Sequence, residues 1–161
     1  MIDIAKRSDI KVIHSIAEAT IPTCYTGLLS TELIDIMEDA YFSQFAIENQ
    51  MNEGQVFLCA KNKEDIVGFC SFTKEGLNLF RLTKIYIMPE FQHQGIGKKL
   101  FNKVLEEIKK TTSTYTLEVY VNHHNKSYGF YTNLGMKYVR VENTEIINGY
   151  VLVQDVLAYT K

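Results

Sequence analysis

The sequence predicts an α/β fold: one domain over residues 1–161, antiparallel in its first half. Three observations carry this expectation. Helical spacing of apolar residues dominates up to Gly54, and strand-like alternation takes over after it. Two β-rich runs, Gln55 to Lys61 and Ile66 to Thr73, are separated only by Asn62-Lys63-Glu64-Asp65, a hairpin by composition. Between a third strand and a long amphipathic helix lies a glycine-rich turn, Met88 to Lys99, reading MPEFQHQGIGKK.

The elements follow in order. Ile2, Ile4 and Ala5 suggest a short first strand. Ser8 or Asp9 then caps a helix whose Ile10, Ile13, Ile16 and Ala17 recur at helical spacing, and Pro22 and Gly27 are expected to break it. Ser30 starts a second helix through Leu33, Ile34 and Met37, and Ser43 a third that stops at Gly54. After the hairpin, a strand from about Leu77 to Ile87 delivers the chain to the glycine turn. The main helix spans about Gly95 to Lys110, with Leu100, Phe101, Val104, Leu105 and Ile108 on one face. A strand (Tyr115 to Val121), a short helix (about Asn125 to Leu134), Gly135, and strands around Met136 to Val141 and Tyr150 to Ala158 complete the chain. No repeat, low-complexity segment or linker interrupts it.

Composition narrows the function classes. Hydrophobic residues make up 46% and charged residues 22% of 161, ordinary for a globular domain with a core. A net charge of −2 supplies no broad field for nucleic acid, although Lys98, Lys99, Lys103, Lys109 and Lys110 cluster on and after the glycine turn. No run of about 18 apolar residues is present, so no membrane partner is expected. Cys24, Cys59 and Cys70 have neither disulfide nor zinc spacing. Cys59 and Cys70 read as buried thiols, and a cytoplasmic, metal-free protein is the expectation.

A glycine turn between strand and helix suits phosphate, because the first N–H groups of a helix lack intrahelical partners and sit at its positive end. Two common phosphate loops fail on spacing. A Walker A loop ending at Gly97-Lys98 would need glycine at position 92 and Ser or Thr at 99, where Gln92 and Lys99 stand. A dinucleotide fingerprint would need a small residue where Leu100 stands. The pattern that fits is Q-x-x-G-x-G, here Gln92-His93-Gln94-Gly95-Ile96-Gly97. It resembles the acetyl-CoA pyrophosphate loop of the GNAT superfamily of N-acetyltransferases. Downstream, Asn125, Ser127, Phe130, Tyr131, Gly135 and Met136 are similar to that family's N-x-x-A-x-x-F-Y-x-x-x-G-F segment. The loop and the N-terminal half are also similar to a polyamine acetyltransferase branch.

The resemblance implies an α+β fold with a mixed, mostly antiparallel sheet of six or seven strands and about four helices. It implies an enzyme moving acetyl from acetyl-CoA directly to a primary amine of a small molecule, in a ternary complex and without a metal. Ile85, Tyr86 and Ile87 would present splayed backbone to the pantetheine. Gln92, His93, Gln94, Gly95, Ile96, Gly97 and Lys98 would hold the pyrophosphate, and Asn125 the pantetheine arm. Tyr131 would stand beside the sulfur and protonate the leaving thiolate, which its ordinary pKa of about 10 allows. Asparagine usually sits seven residues before the tyrosine, where this chain has His124, so Asn122, His124 and Asn125 all stay open for that contact. A glutamate usual in the strand before the loop is missing at Leu82-Thr83-Lys84, which leaves Glu118 as the candidate base, ahead of His123 and Tyr120. The substrate pocket would form from 21–45 and 143–150, with Tyr25, Tyr41, Phe42, Tyr150, Glu142 and Glu145 as candidates. Acetylation of a protein N-terminus, a non-catalytic acyl-CoA sensor and a homodimer remain alternatives for acceptor, turnover and assembly.

Overall fold

The computed structural model describes residues Met1–Lys161. Its elements are β1 (Ile2–Ile4), α1 (Ile10–Tyr25), α2 (Thr31–Phe42), α3 (Gln44–Asn52), β2 (Val56–Asn62), β3 (Asp65–Lys74) and β4 (Leu79–Ile87), followed by α4 (Ile96–Lys109), β5 (Thr116–Val121), α5 (Tyr128–Asn133), β6 (Lys137–Glu145) and β7 (Val151–Thr160). The seven strands form one sheet in the order β1-β2-β3-β4-β5-β7-β6. Every neighbouring pair is antiparallel except β4 and β5.

The helix starts follow local chemistry. Ser30 and Ser43 adopt extended backbone and accept hydrogen bonds from Leu33 N–H (3.2 Å) and Ala46 N–H (3.1 Å), each covering an otherwise orphan donor. Ser30→Ala is therefore expected to lower unfolding free energy by about 1 kcal/mol, read by chemical denaturation; an unchanged midpoint would show that the cap contributes nothing. Pro22 does not end α1, contrary to the sequence expectation. The helix runs on to Tyr25, with Thr26 N–H bonding back to the Pro22 carbonyl. Pro22 removes one backbone donor, while Thr20 and Ile21 beside it are buried, so packing holds the last turn.

Strand alternation divides the core between the two faces of the sheet. One face carries Leu58, Cys70, Phe80, Leu82, Leu117 and Val119, covered by Leu100, Phe101, Val104, Leu105 and Ile108 of α4. The other carries Phe57, Cys59 and Phe69, covered by Ile10, Ile13, Ile16 and Ala17 of α1 together with Ile34, Phe42 and Ile47. The hairpin turn is tighter than its composition suggested, with Asn62 paired to Asp65 and Lys63 in the left-handed region (φ 56°). No helix is long and apolar enough to cross a membrane.

Candidate active site

The site begins where the sheet opens. β4 and β5 pair in parallel only from Leu79–Thr116 to Leu82–Val119, and beyond that point they diverge. Met88 N–H bonds to Val67 of β3, so alternation turns the N–H groups of Ile85 and Ile87 toward the open side. The register between β3 and β4 slips at the same level: Ser71 opposes Lys84 and Phe72 opposes Leu82, leaving Thr83 as the extra residue of a bulge. Thr83 is held there by Ser71 (2.7 Å) and by the Gln55 side-chain amide (2.8 Å).

The parted strands line a cleft of about 1100 Å³. Its floor at one end is the start of α4. Gly95 occupies the cap position with φ +82°, a conformation that disfavours a side chain, and supplies no capping group. The first N–H groups of α4 are thus left free at the positive end of the helix. His93 also has positive φ (61°), and the Gln92 side chain donates to the Ile87 carbonyl (2.9 Å), tying the turn to the end of β4. Gly97 is where the helix crosses closest. A Cβ built there would lie 3.0 Å from the Phe130 ring and 3.4 Å from Ile87 Cδ1.

Of the residues singled out from sequence, Ile85, Tyr86, Ile87, Gln92, His93, Gly95, Ile96, Gly97, Lys98, Asn125 and Tyr131 all line this cleft. Gln94 does not; its side-chain amide bonds the Glu90 carbonyl instead. Asn122 and Asn125 are in the wall and His124 is not. Asn125 Oδ1 accepts from the N–H and the hydroxyl of Ser127 (2.9 and 2.7 Å), which organises the turn into α5. Tyr131 is buried, and burial pushes its hydroxyl well above the ordinary pKa, keeping it protonated at neutral pH. Tyr25 and Tyr86 share a hydrogen bond (3.1 Å) in the same wall.

Glu118 sits elsewhere. Its carboxylate accepts from Arg140 Nη1 (2.6 Å) and Nη2 (3.0 Å), and it does not reach the cleft lining. Glu142 accepts from Arg140 Nε (2.7 Å). Tyr41, Phe42 and Tyr150 also lie outside the cleft, whose lining instead includes Thr20, Cys24, Leu28 and Leu29 with Val151 to Gln154. No carboxylate lines it, and its basic side chains are Lys84, His93, Lys98 and Lys126. Sequence reasoning missed Lys84, although the apolar phase of β4 shifts from Phe80 and Leu82 to Ile85 and Ile87. That slip of one residue is the bulge written in sequence.

The model of the acetyltransferase (GNAT) domain matches residues 28–154. The chain belongs to the GNAT family of acetyltransferases. A spermidine N(1)-acetyltransferase of Thermoplasma acidophilum is 28% identical over 152 residues, covering 89% of this chain and 91% of the relative. Among solved structures, the PaiA N-acetyltransferase of Thermoplasma acidophilum in complex with coenzyme A superposes with a TM-score of 0.81 at 21% identity, covering 100% of this chain and 99% of that one. The ribosomal-protein-S18-alanine N-acetyltransferase of Escherichia coli gives 0.74 at 16% identity, covering 99% and 92%. The seven-stranded, mostly antiparallel sheet with the five helices read from the sequence is thus the GNAT fold.

Proposed function

We propose that this GNAT acetyltransferase moves the acetyl group of acetyl-CoA directly to a primary amine of a small molecule, within a ternary complex, with residues 1–161 acting as one catalytic domain. The observation that carries this reading is the parting of β4 and β5 beyond Leu82 and Val119, directly above the uncapped start of α4. One cleft then has walls from both faces of the sheet, with Tyr25 on one side and Phe130 and Tyr131 on the other. Donor and acceptor can meet in it without a covalent enzyme intermediate. Cys24, the thiol in the wall, is held above its usual pKa by burial, which disfavours it as a nucleophile.

In this reading the N–H groups from His93 to Lys98 and the Lys98 ammonium hold the pyrophosphate. Ile85 and the Ile87 N–H offer unpaired backbone to the pantetheine as an added strand would, and Asn125 offers its side-chain amide. The amine attacks the thioester carbonyl, a backbone N–H of the splayed β4 stabilises the oxyanion, and Tyr131 gives its proton to the departing thiolate.

The test follows free thiol released from acetyl-CoA against a panel of spermidine and other polyamines, aminoglycosides, amino acids and N-terminal peptides. Turnover with at least one small amine and none with peptides is expected. Thermal shifts run beside it: acetyl-CoA at about 100 times its dissociation constant should stabilise the fold by about 2.7 kcal/mol. A shift with ATP but none with acetyl-CoA would overturn the donor assignment, and turnover confined to peptides would move the acceptor to a protein N-terminus.

A further inference from the structure

Four polar or charged residues are buried: Thr20, Ser71, Lys84 and Glu118. Thr20 bonds the Ile16 carbonyl, Ser71 bonds Thr83, and Glu118 is held by Arg140. Lys84 is the exception. It is 7% exposed, yet no carboxylate pairs with it, and it lines the cleft just past the point where β4 leaves β5. Buried lysines are rarely left without a counter-charge, because desolvation penalises the ammonium.

Its surroundings are aromatic rather than acidic. Phe57, Ser71 and Lys84 stand in one cross-strand row. Nζ lies 4.7 Å from the Phe42 ring centroid and 5.9 Å from that of Phe57. The titratable groups of its own strand are Arg81 and Tyr86; in the apolar cluster that holds Phe42 and Phe57, β2 contributes Cys59 and α1 contributes Tyr25, while His14 of α1 bonds the Phe42 carbonyl. The carboxylates Glu18, Asp35, Glu38 and Asp39 gather with His14 in a separate small pocket that has Phe42 in its wall, and none of them pairs with Lys84. Burial, reinforced by Arg81, lowers the Lys84 pKa to about 7. An amine so placed is substantially neutral, and therefore basic, at physiological pH.

We propose that Lys84 is the general base of the transfer: its neutral side-chain amine takes a proton from the acceptor's ammonium, directly or through one water. This rests on the acetyltransferase reading above. One N–H bond of the ammonium breaks and one forms at Nζ. The freed lone pair makes the C–N bond, and the C–S bond breaks as the tetrahedral intermediate collapses. The thiolate takes the Tyr131 proton, the second proton of the attacking nitrogen restores the Tyr131 hydroxyl, and Lys84 returns its proton to solvent. The net reaction releases one proton. Glu118, the carboxylate expected from sequence for this task, already has both oxygens engaged by Arg140.

The experiment joins a titration to kinetics. The 13Cε resonance of Lys84, assigned by its absence in Lys84→Met, is expected to titrate near 7 in the intact protein, a readout that needs no acceptor. In wild type, kcat/KM should rise as pH passes through that midpoint and then level. Lys84→Met should lose about 10²- to 10⁴-fold in kcat/KM together with that limb. It should still show the acetyl-CoA thermal shift and should melt no lower than wild type at neutral pH, because an unpaired buried charge has been removed. Lys84→Arg keeps a cation that does not deprotonate and should be as inactive as the methionine variant. A Lys84 midpoint in the ordinary lysine range would overturn the proposal. So would full activity in Lys84→Arg, or a pH limb that survives Lys84→Met and disappears in Glu118→Gln. Acetyl-CoA binding without turnover on any amine would instead bring down the transferase reading, and the base role with it.

Discussion

Replacing Tyr131 with phenylalanine is expected to lower kcat by about 10²- to 10⁴-fold, the range a positioned general acid contributes, while acetyl-CoA binding stays near wild type. The expectation follows from where the hydroxyl is held. Tyr131 is 6% exposed, packed with Phe130 on α5, in a wall that also carries Asn125 and Ser127. Burial keeps the hydroxyl protonated across the neutral range, as the proposed role of donor to the thiolate requires. Phenylalanine preserves the ring and its packing and removes only the hydroxyl. Initial rates at saturating acetyl-CoA, beside the thermal shift, separate chemistry from binding. Unchanged kcat would remove Tyr131 from the mechanism; a loss of both turnover and thermal shift would make it a structural residue.

Gly97→Val is expected to abolish most of the acetyl-CoA thermal shift and to destabilise the fold itself by about 1–3 kcal/mol. Gly97 is buried where α4 crosses β4, and a Cβ there meets the Phe130 ring at 3.0 Å and Ile87 at 3.4 Å. Valine carries two further methyl groups into that space. Either the helix start moves off the strand, spreading the N–H groups meant for phosphate, or Phe130 moves into the cleft it lines. Gly97→Ala should give a smaller loss, because one methyl needs only a few tenths of an ångström of adjustment. A full acetyl-CoA shift in the valine variant would show that close approach at this position is not what builds the donor site. Substitution at Gly95 tests a different property: a Cβ there meets nothing, and the cost comes from φ +82° alone.

The glycine turn, the Asn125-to-Tyr131 segment, the strand and helix order and the serine caps were all legible in the chain, because each depends on residues within a few positions of one another. Ser30 and Ser43 cap through a neighbour three residues on, Gly95 needs only its own φ, and α4 declares its buried face at helical spacing. The end of the cleft formed by the glycine turn is therefore local chemistry. The failed Walker and dinucleotide spacings were decided at the same short range.

What required the tertiary structure was the pairing of groups distant in sequence. Glu118 looked like a free strand carboxylate until β6, folded back beside β7, brought Arg140 onto it across 22 residues. Pro22 looked like a helix end until burial of its neighbours carried α1 on to Tyr25. Lys84 was passed over in the sequence, and only the bulge at Thr83 and the rings of Phe42 and Phe57 show it enclosed. By itself the sequence determined the fold family and the turn suited to the donor, since both are written in short-range spacing. Only the tertiary structure decided which titratable groups are buried without a counter-charge and which are tied up in ion pairs, because burial and ion pairing depend on contacts that no local pattern encodes.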